Sequence, residues 1–286
     1  MILSFILIIG VFIYYFYYKG NQNTHHISIN TITPLHNDVT DPSTMSIRVL
    51  QLSDLHLEHI SISPEDLYQK LRNKPFDLIA LTGDFLDRPK TLSILPGYLK
   101  VLQQLKPKYG TYAVLGNHDY KLRKKHIEIL KNILVEHDVN LLVNENKLIY
   151  INGQPVQLIG IDDHHSKRHD VKKAYKEVKS TTFRLVLTHD PNVVLHMKDY
   201  SFDYLLSGHF HGGQICWPKP YHLKKFGKLV RLNLIKGLIH YEGKVFYINE
   251  GLGQTGINIR IGSRPEITIH EINVPADKIN IMKNVV

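Results

Sequence analysis

The sequence has one cysteine, Cys216, among its 286 residues, so it cannot form an internal disulfide. Its fold must depend on a buried apolar core instead. With 43% hydrophobic residues, a chain of this length can supply that core for one large α/β domain or two small ones. The lack of disulfides fits a reducing compartment without proving one, because exported proteins can lack them too.

The first part of the chain lacks charged side chains: none lies between Ile2 and Tyr18, and Lys19 closes the run. In a helix at about 1.5 Å per residue this run spans roughly 25 Å, near the short limit for crossing a membrane. No basic residue precedes it and no small-residue cleavage site follows it, which disfavours the alternative, a cleaved signal peptide. We therefore predict a transmembrane anchor over residues 1–19.

Residues 20–46 lack lysine and arginine and are rich in Asn, Thr, Ser and His. This composition predicts a linker between the membrane and a domain of residues 47–274, which a tail of residues 275–286 follows. Lys19 after the span, with no basic residue before it, favours a cytoplasmic domain over an external one. The net charge of +9 favours anionic partners such as a lipid surface or a phosphorylated substrate.

Short apolar runs alternate with helical stretches along the domain. Strands are predicted over residues 47–52, 78–81, 113–115, 156–161, 185–187, 204–206 and 245–248. A helix capped by Ser63 follows the first strand, and further helices are predicted over 92–105, 122–137 and 171–179. Asn152-Gly153 and Glu242-Gly243 mark tight turns. This order predicts an α/β fold, a mixed sheet system with helices on its outer faces.

Polar side chains follow five of these strands, where ligands bind in α/β sheets. They lie in VLQLSDLH (Asp54, His56), LIALTGDFLD (Asp84, Asp87), YAVLGNHD (Asn117, His118, Asp119), LVLTHDP (His189, Asp190) and YLLSGHFHGGQ (His209, His211). Residues two apart on an extended segment project to one side and can share a metal ion. Carboxylate, imidazole and amide groups together suit Mn, Fe or Zn, and there are too many donors for one ion. Each motif alone could be structural, but the whole set favours a metal site.

Together, D-x-H, GDxxD, GNHD, TH and GHxH resemble the motifs of calcineurin-like metallophosphoesterases over about residues 47–272. GHFHGGQ and the tail YINEGLGQTG…IRIGSRPEI are similar to a membrane-associated bacterial subgroup. That subgroup includes cell-wall phosphodiesterases and a UDP-2,3-diacylglucosamine pyrophosphatase. The resemblance implies a four-layer α/β/β/α sandwich and two divalent metal ions, manganese before iron or zinc.

The resemblance also implies a role for each motif residue. Asp54, His56 and His211 would hold the first ion, Asn117, His189 and His209 the second, and Asp84 would bridge both. His118 would face the phosphate and stabilise its charge, and Asp119 would orient the His118 imidazole. Metal-activated hydroxide would then attack phosphorus in line. Asp87 and Asp190 are candidates to hold the second nitrogen of a ligating histidine, or alternatively turn caps.

A basic segment, residues 215–237, follows the last histidine pair. It interleaves Lys219, Lys224, Lys225, Lys228, Arg231 and Lys236 with Trp217, Tyr221, Phe226 and Leu229. This mixture suits an anionic membrane surface or a lipid with a phosphorylated head, and a solvated loop is the alternative. Nucleic acid is not expected, because no recognised binding module accompanies the charge. The histidines of DDHHSKRHD, residues 162–170, are expected in a solvent-exposed loop, and a position at the border of the cleft is the alternative.

These features predict a two-metal phosphohydrolase that cleaves a phosphodiester or pyrophosphate in a lipid-linked substrate such as UDP-2,3-diacylglucosamine. An outward-facing phosphodiesterase of envelope polymers is the alternative with the same chemistry. A non-catalytic membrane scaffold would lack some of the ligands, and none of the set is missing. No obligate protein partner is expected.

Overall fold

The computed structural model describes residues 2–34, 45–179, 182–217 and 219–274. The strands are β1 (Ser28–Ile32), β2 (Met45–Leu52), β3 (Leu78–Thr82), β4 (Thr111–Val114), β5 (Val139–Leu141), β6 (Glu145–Ile151), β7 (Gln154–Gly160), β8 (Phe183–Leu187), β9 (Tyr204–Ser207), β10 (Gly237–Tyr241), β11 (Lys244–Ile248) and β12 (Glu266–Val274). The α-helices are α1 (Ile2–His25), α2 (Pro64–Leu71), α3 (Leu95–Gln104), α4 (Lys124–Glu136), α5 (Val171–Ala174) and α6 (Lys228–Arg231). Short 3₁₀ helices lie at Pro89–Thr91, Asp119–Lys121, Pro191–His196, His211–Gly213 and Tyr221–Lys225.

Two six-stranded sheets pack face to face, in the orders β1-β12-β2-β3-β4-β5 and β10-β11-β9-β8-β7-β6. Because side chains alternate along a strand, Val49 and Leu78 enter the core between the sheets, while Leu50 and Ile79 face α2, α3 and α4. A third core lies between the second sheet and α5 and α6. The predicted α/β/β/α sandwich is confirmed.

Local signals in the sequence form the predicted caps and turns. Ser63 caps α2 in a capping box with Asp66, and Pro64 begins the helix. The tight turns join β6 to β7 and β10 to β11, with positive φ at Asn152 and Glu242. Three helices are shorter than predicted. α3 and α4 begin later, and α5 ends at Ala174 because the chain turns through Glu177 at φ 61°.

The predicted linker over residues 20–46 is wrong in its first part. α1 continues to His25, and β1 pairs in parallel with β12. Gly20 lies so close to the domain that an added Cβ would be 2.9 Å from the Cβ of Ile259. The Asn21 and Asn23 side chains donate to the carbonyl oxygens of residues 258 and 260, each at 2.9 Å. Residues 20–32 therefore belong to the folded domain. Residues 35–44 and the predicted tail 275–286 lie outside the described residues.

The first four turns of α1 expose apolar side chains along nearly all of their length. Within the described part of the chain, α1 is the helix long and apolar enough to cross a membrane. Its Phe16 ring lies 5.9 Å from the ring of Trp217, which is itself 64% exposed. The helix therefore meets the folded domain at its last turns and along the side that faces the basic segment.

One buried glutamine ties the two sheets together beside the polar strand ends. The amide nitrogen of Gln51, in β2, donates to Thr82 Oγ1 at 3.0 Å and to the carbonyl oxygen of Ser207, in β9, at 2.9 Å. His270 Nε2 contacts its amide oxygen at 3.0 Å. This network sets the carboxyl ends of strands from both sheets against each other.

Candidate metal centre

The carboxyl ends of β2, β3 and β4 meet those of β8 and β9 at one edge of the sandwich. Backbone hydrogen bonds join the loops there: Asp54 N–H donates to Gly83, and Gly208 N–H donates to His189. All the side chains predicted to bind metal converge at this point, namely Asp54, His56, Asp84, Asn117, His189, His209 and His211. Two clusters stand out, Asp54–His56–His211 and Asp84–His189–His209, and they match the two predicted ion sites.

The loops reach this arrangement through backbone that is costly for most residues. Positive φ angles occur at Asp54 (50°), His56 (37°), Asp84 (55°), His209 (77°) and His211 (50°). Left-handed backbone at non-glycine residues is uncommon and is concentrated at functional sites. The unfavourable backbone at these five residues supports a functional site, in which the surrounding structure offsets the cost of this conformation.

Neighbouring glycines make room for the same loops. Gly83 has φ 86°, a backbone conformation that glycine adopts readily and that turns the chain sharply after β3. At Gly116 the reason is space, because a Cβ would lie 2.2 Å from Asp84 Oδ1. A Cβ at Gly208 would likewise lie 2.2 Å from Asp54 Oδ2. The glycines in these motifs therefore let two strand-end loops approach the carboxylates closely.

Hydrogen bonds on the outer side of two imidazoles fix their tautomers. His56 Nδ1 contacts Asp87 Oδ1 at 2.8 Å, and His189 Nδ1 contacts the carbonyl oxygen of Thr82 at 2.8 Å. In the neutral imidazole each Nδ1 carries the proton, so each Nε2 presents its lone pair to the centre. This is the tautomer that a metal ligand needs.

The inner atoms lie at the separations expected for atoms sharing an ion. His56 Nε2 is 3.2 Å from His211 Nε2 and 3.4 Å from Asp84 Oδ2. His189 Nε2 is 3.1 Å from Asp84 Oδ2 and 3.2 Å from Asn117 Oδ1. With metal–nitrogen bonds of about 2.0–2.1 Å, two donors on one ion lie about 3 Å apart. The donor set therefore fits two divalent ions, with Asp84 between them.

The carboxylates also perturb the imidazoles. Burial would lower the pKa of His56, but hydrogen bonds and charge from Asp84 and Asp87 raise it to about 10. Burial also opposes protonation of His189, whose pKa the charges of Asp84 and Asp54 raise well above its ordinary value. A divalent ion would satisfy the same carboxylates and release these protons.

His118 lies beside the metal ligands with a different partner from the one predicted. Its Nδ1 contacts Asp87 Oδ1 at 2.7 Å, so Asp87 orients His118 as well as His56. The predicted contact of Asp119 with this imidazole is wrong. The fully buried Asp119 carboxylate instead accepts the backbone N–H groups of residues 84, 85, 86 and 116. Asp119 therefore stabilises the backbone of residues 84–86, the loop that carries Asp84.

Asp190 follows the alternative interpretation and caps a turn. Its Oδ1 accepts from the backbone and side-chain nitrogens of Asn192, at 2.9 and 2.8 Å. Burial raises the pKa of Asp190 to about 7. It still lies close to the metal centre, since ligand atoms of His165, Asp190 and His209 fall within 4.8 Å of one another.

Arg260 was missed by the sequence reasoning. Its side chain is fully buried, and its guanidinium donates to the carbonyl oxygens of His211, Glu250, Gly251 and Gly253 at 2.7–3.0 Å. Burial lowers the pKa of Arg260 to about 10, opposed by nearby carboxylates, so it stays charged at neutral pH. The available signal was an arginine between two isoleucines, Ile259 and Ile261, in a glycine-rich stretch.

The basic segment, residues 215–237, lines one side of the cavity at the metal centre. A cavity of about 70 Å³ opens onto Asp84, His118, His209 and His211, and His222, Leu223 and Phe226 form its opposite wall, with Phe210, Gln214 and Thr255 completing the lining. The 3₁₀ helix Tyr221–Lys225 therefore lies directly over the ligands. In the sequence this segment directly follows the last histidine pair. In the structure its residues line the same cavity as the predicted metal ligands.

Comparison with known proteins agrees with this geometry. Residues 47–213 match the model of the calcineurin-like phosphoesterases. The chain belongs to the calcineurin-like phosphoesterase family. Over 257 residues it is 54% identical to the Bacillus subtilis metallophosphoesterase YkoQ. The aligned region covers 90% of this chain and 94% of YkoQ. The phosphoesterase is therefore a metal-dependent hydrolase of phosphoric esters.

More distant relatives share most of the chain. The phosphoesterase is 29% identical over 276 residues to the UDP-2,3-diacylglucosamine pyrophosphatase LpxG of Chlamydia trachomatis, covering 78% of this chain and 82% of that protein. It is 28% identical over 229 residues to the Bacillus subtilis metallophosphoesterase YkuE, covering 78% and 77%.

Proposed function

We propose that this phosphoesterase cleaves a phosphodiester or pyrophosphate bond in a lipid-linked substrate at a membrane surface, with manganese as the preferred metal. The donor set of carboxylates, imidazoles and one amide suits Mn²⁺, Fe²⁺ or Zn²⁺. The similarity to a UDP-2,3-diacylglucosamine pyrophosphatase makes that lipid the first substrate to test.

The observation that carries the proposal is a basic cavity on the side of the domain that α1 contacts. It has a volume of about 740 Å³, and its lining includes Lys219, Lys224, Arg231 and Lys236 together with apolar side chains such as Val230 and Ile235. None of the described residues that line it is acidic. Cations over an apolar floor suit a phosphorylated lipid head with the start of its acyl chains.

This cavity, which we call the basic cavity, is lined by residues next to those that contact α1 and by residues of the segment that covers the metal centre. Cys216 lines it, and Trp217, next in the chain, contacts Phe16 of α1. Tyr221 and Lys224 also line it, and they belong to the 3₁₀ helix that covers the metal ligands. A lipid head entering from the bilayer side would thus be directed toward the metal centre.

The chemistry follows from the side chains around the cleft. Two divalent ions, held by the two clusters and Asp84, would activate a water molecule and neutralise phosphoryl charge. His118, oriented by Asp87, faces the same cavity and can stabilise the developing charge or protonate the leaving oxygen. Leu223 and Phe226 contribute apolar side chains to the wall of this cavity.

We also propose that the enzyme is anchored by α1 with its domain on the cytoplasmic side. The exposed apolar helix and its docked last turns support the anchor. Lys19, after the span, supports the orientation. Protease added to intact spheroplasts should leave the domain uncut until the spheroplasts are lysed. If the domain is cut in intact spheroplasts, it lies outside the membrane.

The test uses the full-length protein in detergent, loaded with Mn²⁺ and incubated with UDP-2,3-diacylglucosamine. Chelator-sensitive release of UMP, followed by mass spectrometry, is the expected result. Lys224→Gln/Arg231→Gln should raise KM for this lipid, with Lys172→Gln/Lys173→Gln as the charge-matched control away from the basic cavity. Cleavage of a soluble aryl phosphodiester without UMP release would reject this lipid and redirect the search to envelope polymers.

A further inference from the structure

A second cavity lies against the metal centre, beyond Phe226. Its volume is about 360 Å³, and its lining includes His164, His165, His169, His196, Lys225 and Lys228. We call it the histidine pocket. Phe226 lines both this pocket and the cavity at the metal centre. The His165 ring lies 5.1 Å from the ring of the predicted ligand His209, so one molecule can contact both places.

Three of the pocket histidines are crowded together, and the carboxylate of Asp190 lies beside His165. The ring of His164 lies 4.4 Å from that of His169 and 4.7 Å from that of His196. Burial, and then the charges of these neighbours, lower the pKa of His164 to about 4. The solvent-exposed loop expected for this stretch is wrong for His164 and His169, which are partly buried. With its pKa lowered, His164 is neutral near pH 7 and offers the pocket an N–H donor rather than a positive charge.

The lysines of the pocket are held by a rigid loop. Gly227 has φ 109°, and a Cβ there would lie 2.5 Å from Asn192 Oδ1. The Asn192 amide nitrogen donates to the carbonyl oxygen of Phe226 at 2.7 Å and to Asp190 Oδ1 at 2.8 Å. Lys225 and Lys228 flank this anchored turn. Asp190, the acidic residue in the pocket lining, is engaged through this same network.

We propose that the histidine pocket binds a second phosphoryl group of the substrate, next to the one at the metal centre. The ammonium groups of Lys225 and Lys228 supply the positive charge that a phosphate needs, and the imidazole N–H groups supply further donors. The preferred substrate class is then a diphosphate. Water adds across its P–O–P bond, and two phosphate monoesters leave. This inference rests on the proposed function of the metal centre and narrows its substrates from phosphodiesters or pyrophosphates to diphosphates.

The experiment compares two soluble substrates with the Mn²⁺-loaded full-length enzyme. UDP-glucose carries two linked phosphoryl groups, and bis(4-nitrophenyl) phosphate carries one. The measured quantity is the ratio of kcat/KM for UDP-glucose to kcat/KM for the diester. Lys225→Gln/Lys228→Gln should lower this ratio by about tenfold or more, as the loss of charge-assisted hydrogen bonds predicts. His196→Asn, at an exposed side chain, should lower it in the same direction.

The control Lys172→Gln/Lys173→Gln removes two exposed lysines of α5 that do not line the pocket, and it should leave the ratio unchanged. An unchanged ratio in both pocket variants would overturn the inference. The inference would also be overturned if the enzyme hydrolyses the diester while UDP-glucose is neither a substrate nor an inhibitor. That outcome would leave the two-metal function intact. Hydrolysis of neither substrate with Mn²⁺, Fe²⁺ or Zn²⁺ would reject the proposed function and this inference with it.

Discussion

Replacing Arg260 by methionine tests how the metal centre is held together. The guanidinium supplies hydrogen bonds to four backbone carbonyl groups, including that of the predicted ligand His211. The Arg260 backbone also accepts from Asn23 and donates to Gly20, at the end of α1. Arg260 thus connects the N-terminal helix α1, the loop before β12 and the loop that carries the predicted ligand His211.

The size of the effect follows from those contacts. Each buried carbonyl left without a donor costs about 1–3 kcal/mol, but the loop can relax and admit water. Removal of one partner from a buried charged network costs about 3–5 kcal/mol, and we expect the same for Arg260→Met. At about 2–4 °C per kcal/mol for a domain of this size, the Tm should fall by roughly 6–20 °C.

Thermal unfolding of the metal-free protein in detergent measures the loss, and calorimetry with Mn²⁺ measures the affinity. Mn²⁺ affinity should fall by about tenfold or more, because the anchored carbonyl belongs to a ligand. Arg260→Lys keeps the charge but lacks the planar fork, so its loss should be about half. Ile257→Ala, in the same loop at an exposed side chain, is the matched control. A Tm change for Arg260→Met no larger than that control, with unchanged Mn²⁺ affinity, would refute the reasoning.

Three further predictions follow from the site and the N-terminal helix. His118→Ala should lower kcat by about 10²–10⁴-fold while both ions stay bound, as metal analysis would show; wild-type turnover would remove its assigned role. Asp87→Asn should lower kcat and also weaken metal binding by about 10–100-fold, because it contacts both His56 and His118; a change in kcat alone would contradict the shared contact. Deleting residues 2–33 should lower the Tm, whereas deleting residues 2–19 should not, because only the longer deletion removes β1 and the docked end of α1; equal Tm values would show that this packing is unimportant.

The fold class was predictable because its signals are local. An apolar run that ends in Asp-x-His, a Ser63 cap before Pro64, or Glu242-Gly243 between two strands depends on residues adjacent in the chain. Where a prediction was wrong, the local structure depended on contacts with residues far away in the chain. Residues 28–32 look like a polar linker, yet they form a strand because β12, more than two hundred residues later, offers them an edge.

The convergence of the candidate metal ligands was predictable from the sequence, and their supporting contacts were not. In the GNHD motif, Asp119 is adjacent to His118, which suggested that one orients the other. The structure shows that Asp119 holds the backbone of the Asp84 loop, while Asp87, from a different motif, reaches the imidazole. Adjacent residues on a turn can point in opposite directions, so adjacency in the sequence does not establish contact.

The sequence by itself predicted the mixed α/β fold, the candidate donor set for two metal ions and the apolar N-terminal helix, because periodicity and strand-end motifs are properties of short segments. Its resemblance to the calcineurin-like phosphoesterases implied the α/β/β/α layering. Only the tertiary structure decided that Arg260 ties this helix to a metal-binding loop, that the basic segment covers the metal centre, and that the histidines of residues 164–169 meet His196 and Lys225 in one pocket. Those contacts join elements far apart in the chain, and they form only when both sheets pack and bring their strand ends to one edge.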